Sequence, residues 1–166
     1  RAYSLMANQI NLPAPQLDLT DTAGKTVSLY KVKAPFTFVV FWDPTCGHCK
    51  IEVPKLDSIY EAKWKEQGVA IFSVNTNEAT FEDWKTFIKE NHLNGWYHCW
   101  QTKEGREEDD KAGRPNYRQL YDIFQTPTMY LLDADKRIIA KKLSIEQYDA
   151  LIDAKLKSTT KESSTQ

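Results

Sequence analysis

The sequence predicts an α/β fold with a central mixed sheet flanked by helices, and three observations carry that reading. β-Branched and aromatic runs, "FTFVVFW" (36–42), "VAIFSV" (69–74) and "TMYLLD" (128–133), alternate with segments whose apolar residues recur at helical spacing. Apolar residues make up 41% of the chain and charged residues 27%, the balance of a globular protein with one buried core. No repeat or linker divides the 166 residues, so a single domain over 1–156 is expected.

Taken in order, "PQLDLTDTAGKTVSLYKV" alternates Leu17 and Leu19, then Val27 and Leu29, around a polar turn at Gly24, and predicts an N-terminal β-hairpin. "FTFVVFW" is apolar on both faces, as a central strand covered on both sides must be. Residues 46–65 place Cys49, Val53, Leu56, Ile59, Tyr60 and Trp64 at helical spacing, with Pro54 expected to kink the helix and Gly68 to end it. "VAIFSV" is a second buried strand. Phe81, Trp84, Phe87 and Ile88 form a helical stripe, with Thr80 as its N-cap and Asp83 in the first turn. "WYHCW" is a short strand. "QTKEGREEDDKAGRP" (101–115) has almost no apolar residue and reads as a solvated loop, followed by a short helix in "NYRQLYDIF". "TMYLLD" and "RIIAKKL" are two strands joined by a turn at "ADK". Ser144 and Gln147 offer a capping box for a last helix over 145–156. The polar tail 157–166 is expected to be disordered. Strands alternating with helices imply a largely parallel sheet, with the final pair adding an antiparallel edge.

The composition also excludes several classes. A net charge of −1 provides no basic field for nucleic acid or an anionic membrane surface. No apolar run approaches the roughly 20 residues of a spanning segment. The start "RAYSLMANQ" has no positive region feeding an apolar stretch, and it lacks an initiator Met, so it reads as a processed or excised segment whose compartment is open.

The chemistry concentrates in "DPTCGHCK" (43–50). Cys46 follows a buried strand and opens a helix, with Cys49 one turn on. Residues three apart at that turn have Cβ atoms roughly 5–6 Å apart, near the span a disulfide tolerates. The helix N-terminus carries partial positive charge and unpaired N–H groups, which favour a thiolate on Cys46. A stabilised thiolate serves exchange both as nucleophile and as leaving group. Cys49, deeper in the helix, would be the resolving thiol. Two other chemistries compete. A metal could draw on Cys46, Cys49, His98 and Cys99, but adjacent strand residues point to opposite faces and no second Cys-x-x-Cys or His-x-x-x-His clip is present. A structural disulfide in one turn would close too short a loop to stabilise much. Redox exchange fits best, with no metal and no cofactor needed. The remaining Cys99, in "YHCW", reads as a buried small hydrophobe, with a regulatory or intermolecular bond as the alternative.

"FVVFWDPTCGHCK" with a later "TPT" leading into "MYLLD" resembles the thioredoxin superfamily. The Trp-x-Pro-x-Cys-x-x-Cys form, preceded by "APQLDLTDTAGKTVSL", is similar to its TlpA-like branch of extracytoplasmic thiol–disulfide oxidoreductases, over residues 12–156. The resemblance implies a thioredoxin-like fold in which the helix and strand between "VAIFSV" and "NYRQLY" are an inserted helix-strand unit, protein disulfide or dithiol substrates, recharging by a membrane electron donor, and a periplasmic or envelope location. It further implies that Pro127 is a cis-proline facing the cysteines, leaving Thr126 to offer its backbone to an extended client, whereas the residues alone would equally suit an ordinary trans proline at a strand start. Trp42 and Pro44 would shape the surface around Cys46, although a core aromatic and a turn proline account for them equally. Glu52, three residues after Cys49, matches a glutamate of the reductases of cytochrome c maturation and would take up the proton of Cys49 during exchange, with a solvated glutamate favoured early in a helix by the dipole as the alternative. Val40 stands where cytosolic thioredoxins carry a buried aspartate, which leaves Glu52 as the nearby proton acceptor. His48, as an imidazolium beside Cys46, would favour the thiolate, although a solvated side chain is the plainer reading. "CGHC" is also the dipeptide context of protein disulfide isomerase, so the branch implies reduction while the dipeptide implies a less reducing pair. Oxidase or isomerase exchange and a non-catalytic redox sensor within a longer envelope protein both stay open. Peroxide reduction needs a Thr three residues before the attacking cysteine, where this chain has Asp43.

Overall fold

The computed structural model describes residues 7–164. Residues 1–6, which carry most of the reading of the chain's start, and 165–166 of the polar tail lie outside it.

Strand β3 (Phe36–Trp42) is buried at every position and organises the molecule. It pairs in parallel with β4 (Val69–Asn75) and antiparallel with β6 (Thr128–Leu132). The full seven-stranded sheet runs β2-β1-β5-β4-β3-β6-β7, with β1 Asp18–Thr20, β2 Thr26–Ser28, β5 Tyr97–Trp100 and β7 Ile138–Lys141. The N-terminal hairpin joins the sheet through β1, which lies antiparallel to β5. The mixed α/β architecture is the expected one, but the sheet is not largely parallel: only β3–β4 and β4–β5 pair in parallel, and antiparallel pairs flank that centre on both sides, because β1 as well as the β6–β7 pair joins the sheet antiparallel.

The helices are α1 (Gly47–Ile59), α2 (Phe81–Glu90), α3 (Lys103–Ala112), α4 (Tyr117–Leu120) and α5 (Ile145–Ser164). Alternation along β3 sends Phe38, Val40 and Trp42 to one face, where they pack with Val53, Leu56, Trp64, Tyr148 and Ile152. Val39 and Phe41 face the other way, against Leu17, Leu29, Tyr117, Tyr121 and Tyr130. Phe38 sits between Trp64 and Tyr148 at ring separations of 5.1 and 5.0 Å. Each such side chain contributes roughly 1.5–3 kcal/mol by leaving water. The first face thereby presses α1, and the cysteines at its start, against the ends of β3 and β6.

Four further expectations need correction. The segment 101–115 is not a loop throughout: it contains α3, whose Thr102 hydroxyl caps Gly105 N–H (3.0 Å) and whose end is turned by Gly113 at φ 68°. No residue of α3 is buried, so it has caps but no apolar stripe to be read. The last helix runs past 156 to Ser164, into the stretch expected to be disordered. Ser144 and Gln147 do form the expected reciprocal capping box at its start (2.9 and 3.2 Å). Thr80 occupies the N-cap of α2 but makes no cap bond, because its hydroxyl donates to Asn77 O instead (2.8 Å). Helix 46–65 holds α-geometry through Pro54 to Ile59, then widens into a π-helical segment at Tyr60–Trp64.

Candidate redox site

β3 delivers the chain to the mouth of α1 through a tight turn. Asp43 organises it: one carboxylate oxygen accepts from the Thr45 N–H and hydroxyl (both 2.8 Å), and the other from Asn77 Nδ2 (3.0 Å). The Asp43 carbonyl accepts the Cys46 N–H (3.0 Å), and the Cys46 carbonyl accepts Lys50 N–H (3.1 Å), starting the helix. Cys46 is thus the N-cap itself, in extended conformation at φ −76° and ψ 126°. Its side chain stands where the helix's free N–H groups converge.

The two thiols differ sharply. Cys46 is half-buried, and its Sγ lies 3.7 Å from the Thr126 carbonyl. Its acidity is raised first by a hydrogen bond with the Thr126 side chain, then by the Cys49 N–H, with the Cys49 thiol and the His48 N–H adding smaller support. These outweigh partial burial and hold the Cys46 thiol below its ordinary value. Cys49 is fully buried. Burial, resisted by Asp43's backbone and the Thr126 side chain, pushes its thiol up to about 12. Each thiol feels the other, so the pair lies within interaction distance.

The Thr126–Pro127 peptide is cis, as the resemblance implies, and both residues are half-buried beside the cysteines. A groove of about 640 Å³ lies against them, lined by His48, Glu52, Gln125, Thr126, Pro127 and Met129, with the start of α5 beyond. His48 is exposed and Glu52 half-buried. Glu52 and His48 therefore share one groove with the cis-proline loop. Trp42 does not reach it. Its ring has no exposed surface, packs on Phe87 at 5.0 Å and donates its N–H to Ser73 Oγ (2.6 Å), so direct contact with a client is ruled out. Pro44 is also buried, as part of the turn. Val40 lies in the core, as read.

Cys99 is fully buried, its Sγ 3.5 Å from Ser73 O, and burial raises its thiol well above the ordinary value. Among the described residues no group of three or more His, Cys, Asp or Glu side chains is gathered as a metal ion would require. Sequence reasoning missed Gln125, Met129 and Asn77, which join the site only because the ends of β4 and β6 flank β3; no local pattern announces them.

The model of the AhpC/TSA family matches residues 10–141. The chain belongs to that family. Among its relatives is the thiol-disulfide oxidoreductase ResA of Bacillus thuringiensis subsp. konkukian, 28% identical over 152 residues, covering 92% of this chain and 79% of that protein. ResA of Bacillus subtilis is 39% identical over a shorter stretch of 66 residues, 40% of this chain and 36% of that protein. Of solved structures, the thioredoxin domain of a thiol-disulfide oxidoreductase from Bacteroides vulgatus superposes with a TM-score of 0.72 at 29% identity, covering 88% of this chain and 96% of that one. A thiol:disulfide interchange protein from Bacteroides sp. does so at 0.70 and 28%, covering 88% and 90%. The AhpC/TSA member described here is thus a thiol–disulfide oxidoreductase of thioredoxin-like fold, with relatives of the TlpA-like type.

Proposed function

We propose that this protein reduces protein disulfides outside the cytoplasm, using Cys46 as nucleophile and Cys49 as resolving thiol. The asymmetry of the pair carries the reading: one thiol is half-exposed and activated, the other buried with its proton retained. The Cys46 thiolate attacks a client disulfide, forming a mixed disulfide and expelling one client sulfur as thiolate. Cys49 then loses its proton and attacks Cys46, closing the internal disulfide and releasing the second client sulfur. Two electrons pass to the client, and a membrane dithiol donor recharges the pair.

The second step needs help. A thiol near 12 leaves about one thiolate in 10⁵ at pH 7. Glu52, on α1 and in the groove with Thr126 and Pro127, supplies the acceptor for that proton. Thr126 and Pro127 present the edge along which an extended client lies, with Pro44 supporting the turn beneath Cys46. The TlpA-like resemblance supports the envelope location and the membrane donor. Among the described residues no helix is long and apolar enough to cross a membrane.

The exposed His48 inside "CGHC" favours a second reading, oxidase or isomerase exchange. Equilibration of the pair with glutathione buffers separates the two: a potential near the −270 mV or so of thioredoxin supports reduction, and one near about −180 mV supports isomerisation. Cys49→Ser should trap a client peptide on Cys46. Trapping of an equal amount by Cys49 in Cys46→Ser would defeat the assignment of roles. A single redox change without turnover would leave only the sensor.

A further inference from the structure

Beneath the reactive turn lies a line of polar groups that the exchange mechanism does not use. Trp42 Nε1 donates to Ser73 Oγ at 2.6 Å. Ser73 Oγ lies 3.3 Å from His98 Nδ1, and His98 Nε2 lies 2.8 Å from the Leu93 carbonyl. Ser73 and His98 are direct partners in the β4–β5 register, so the sheet itself sets them side by side.

The ends of this line decide every proton within it. An indole N–H can only donate, and a carbonyl can only accept. His98 Nε2 must therefore carry hydrogen, and in a neutral imidazole Nδ1 is then the acceptor. The Ser73 hydroxyl donates to it and accepts from the indole. Burial pushes His98 down to about 4, so the neutral ring is the species present near pH 7. The ring also stacks on Trp96 at 5.5 Å, which fixes its plane. Each donor in the line has an acceptor, which a buried polar chain needs if it is not to destabilise the core.

What the line holds is the base of the redox turn. The Trp42 carbonyl accepts Thr76 N–H (2.8 Å) and the Thr76 hydroxyl (3.3 Å). The next residue, Asp43, binds Thr45, Asn77 and the Cys46 N–H. A rotation of the indole would be carried through these bonds to the sulfur and to its contact with Thr126. We propose that Ser73 and His98 are positioning residues for thiol–disulfide exchange, locking the Trp42 indole and through it the Asp43–Cys46 turn. This inference rests on Cys46 being the exchanging thiol.

The test compares Ser73→Ala, His98→Phe and His98→Gln with wild type. Alkylation rate against pH reports the Cys46 thiolate, and disulfide exchange is timed at pH 7. Ser73→Ala and His98→Phe should move the alkylation profile to higher pH and slow exchange about three- to tenfold, since each unit of upward movement cuts the thiolate fraction about tenfold. His98→Gln offers an amide oxygen to Ser73 and an N–H to Leu93, and should restore the profile. An unmoved profile in the first two variants, whatever their stability, overturns the proposal. Nitrogen NMR of wild-type His98 decides independently should a variant fail to fold: Nε2–H with acceptor Nδ1 supports the line, and the opposite tautomer breaks it. Turnover in Cys46→Ser tests the assignment of the reactive thiol by itself. Activity there defeats that assignment and the positioning role with it, whereas an unmoved alkylation profile defeats only the latter.

Discussion

The dipeptide His-Cys occurs twice in this chain, as His48-Cys49 and as His98-Cys99, and its two copies have opposite fates. In the first, the helix start leaves His48 exposed and turns Cys49 inward, one turn from Cys46. In the second, strand alternation sends His98 toward the face that carries Trp42, while Cys99 enters the opposite core. Both cysteines are fully buried and both thiols are pushed up. Only Cys49 has a second sulfur beside it, so only Cys49 can form a bond. Burial alone makes an inert thiol; burial next to an activated neighbour gives Cys49 the position that the proposed resolving role requires.

The largest expected effect separates the two regions outright. Cys46→Ser should drop reduction of a peptide disulfide to background, and residual turnover carried by Cys99 would refute the contrast. A slowed second step comes next. Glu52→Gln should retard release of the mixed disulfide by about a hundredfold, with the first attack unchanged in stopped-flow mixing. Equal slowing of both steps would assign Glu52 to client binding instead.

Stability against pH sharpens the comparison further. Cys49 and Cys99 have folded values above their ordinary value of 9.0, so their contribution is whole below that value. It is lost as pH rises toward about 12, where Cys49 itself ionises in the fold. Cys46 has the opposite sign: its folded value is lowered, so its contribution is present above the ordinary value and lost as pH falls through the folded one. The urea midpoint of the reduced protein should accordingly fall on the alkaline side. Cys99→Ala should flatten that fall, and an unchanged slope would mean that Cys99 ionises as readily folded as unfolded. His48→Ala is expected to shift the pair's potential by less than about 30 mV, or roughly 1.4 kcal/mol. Smallest of all, Cys99→Ala should leave exchange within about twofold, read in the same peptide assay.

The redox turn was legible because its geometry is local. Cys46 and Cys49 meet through one helical turn, whereas α3 has no apolar stripe and is marked in the sequence only by its cap residues Thr102 and Gly113. Thr126 and Pro127 are some eighty residues from Cys46 and were reached through resemblance, since no spacing joins them. Trp42 shows the limit from the other side. As a strand-end aromatic it could face the core or a client, and its alternation with Phe38 and Val40 and the places of Phe87 and Ser73 turned it inward. The line through Ser73 and His98 left no trace in the sequence, because neighbours across a sheet are set by strand order.

By itself the chain determined its strands, its helix start at Cys46 and the reach of one thiol to the other, since these depend on neighbours a few bonds away. The tertiary structure decided which His-Cys pair sits buried beside a second, activated thiol, which aromatic stays hidden, and what lies under the turn at Cys46. Those outcomes depend on burial and on cross-strand register, and both exist only once distant segments have been brought together.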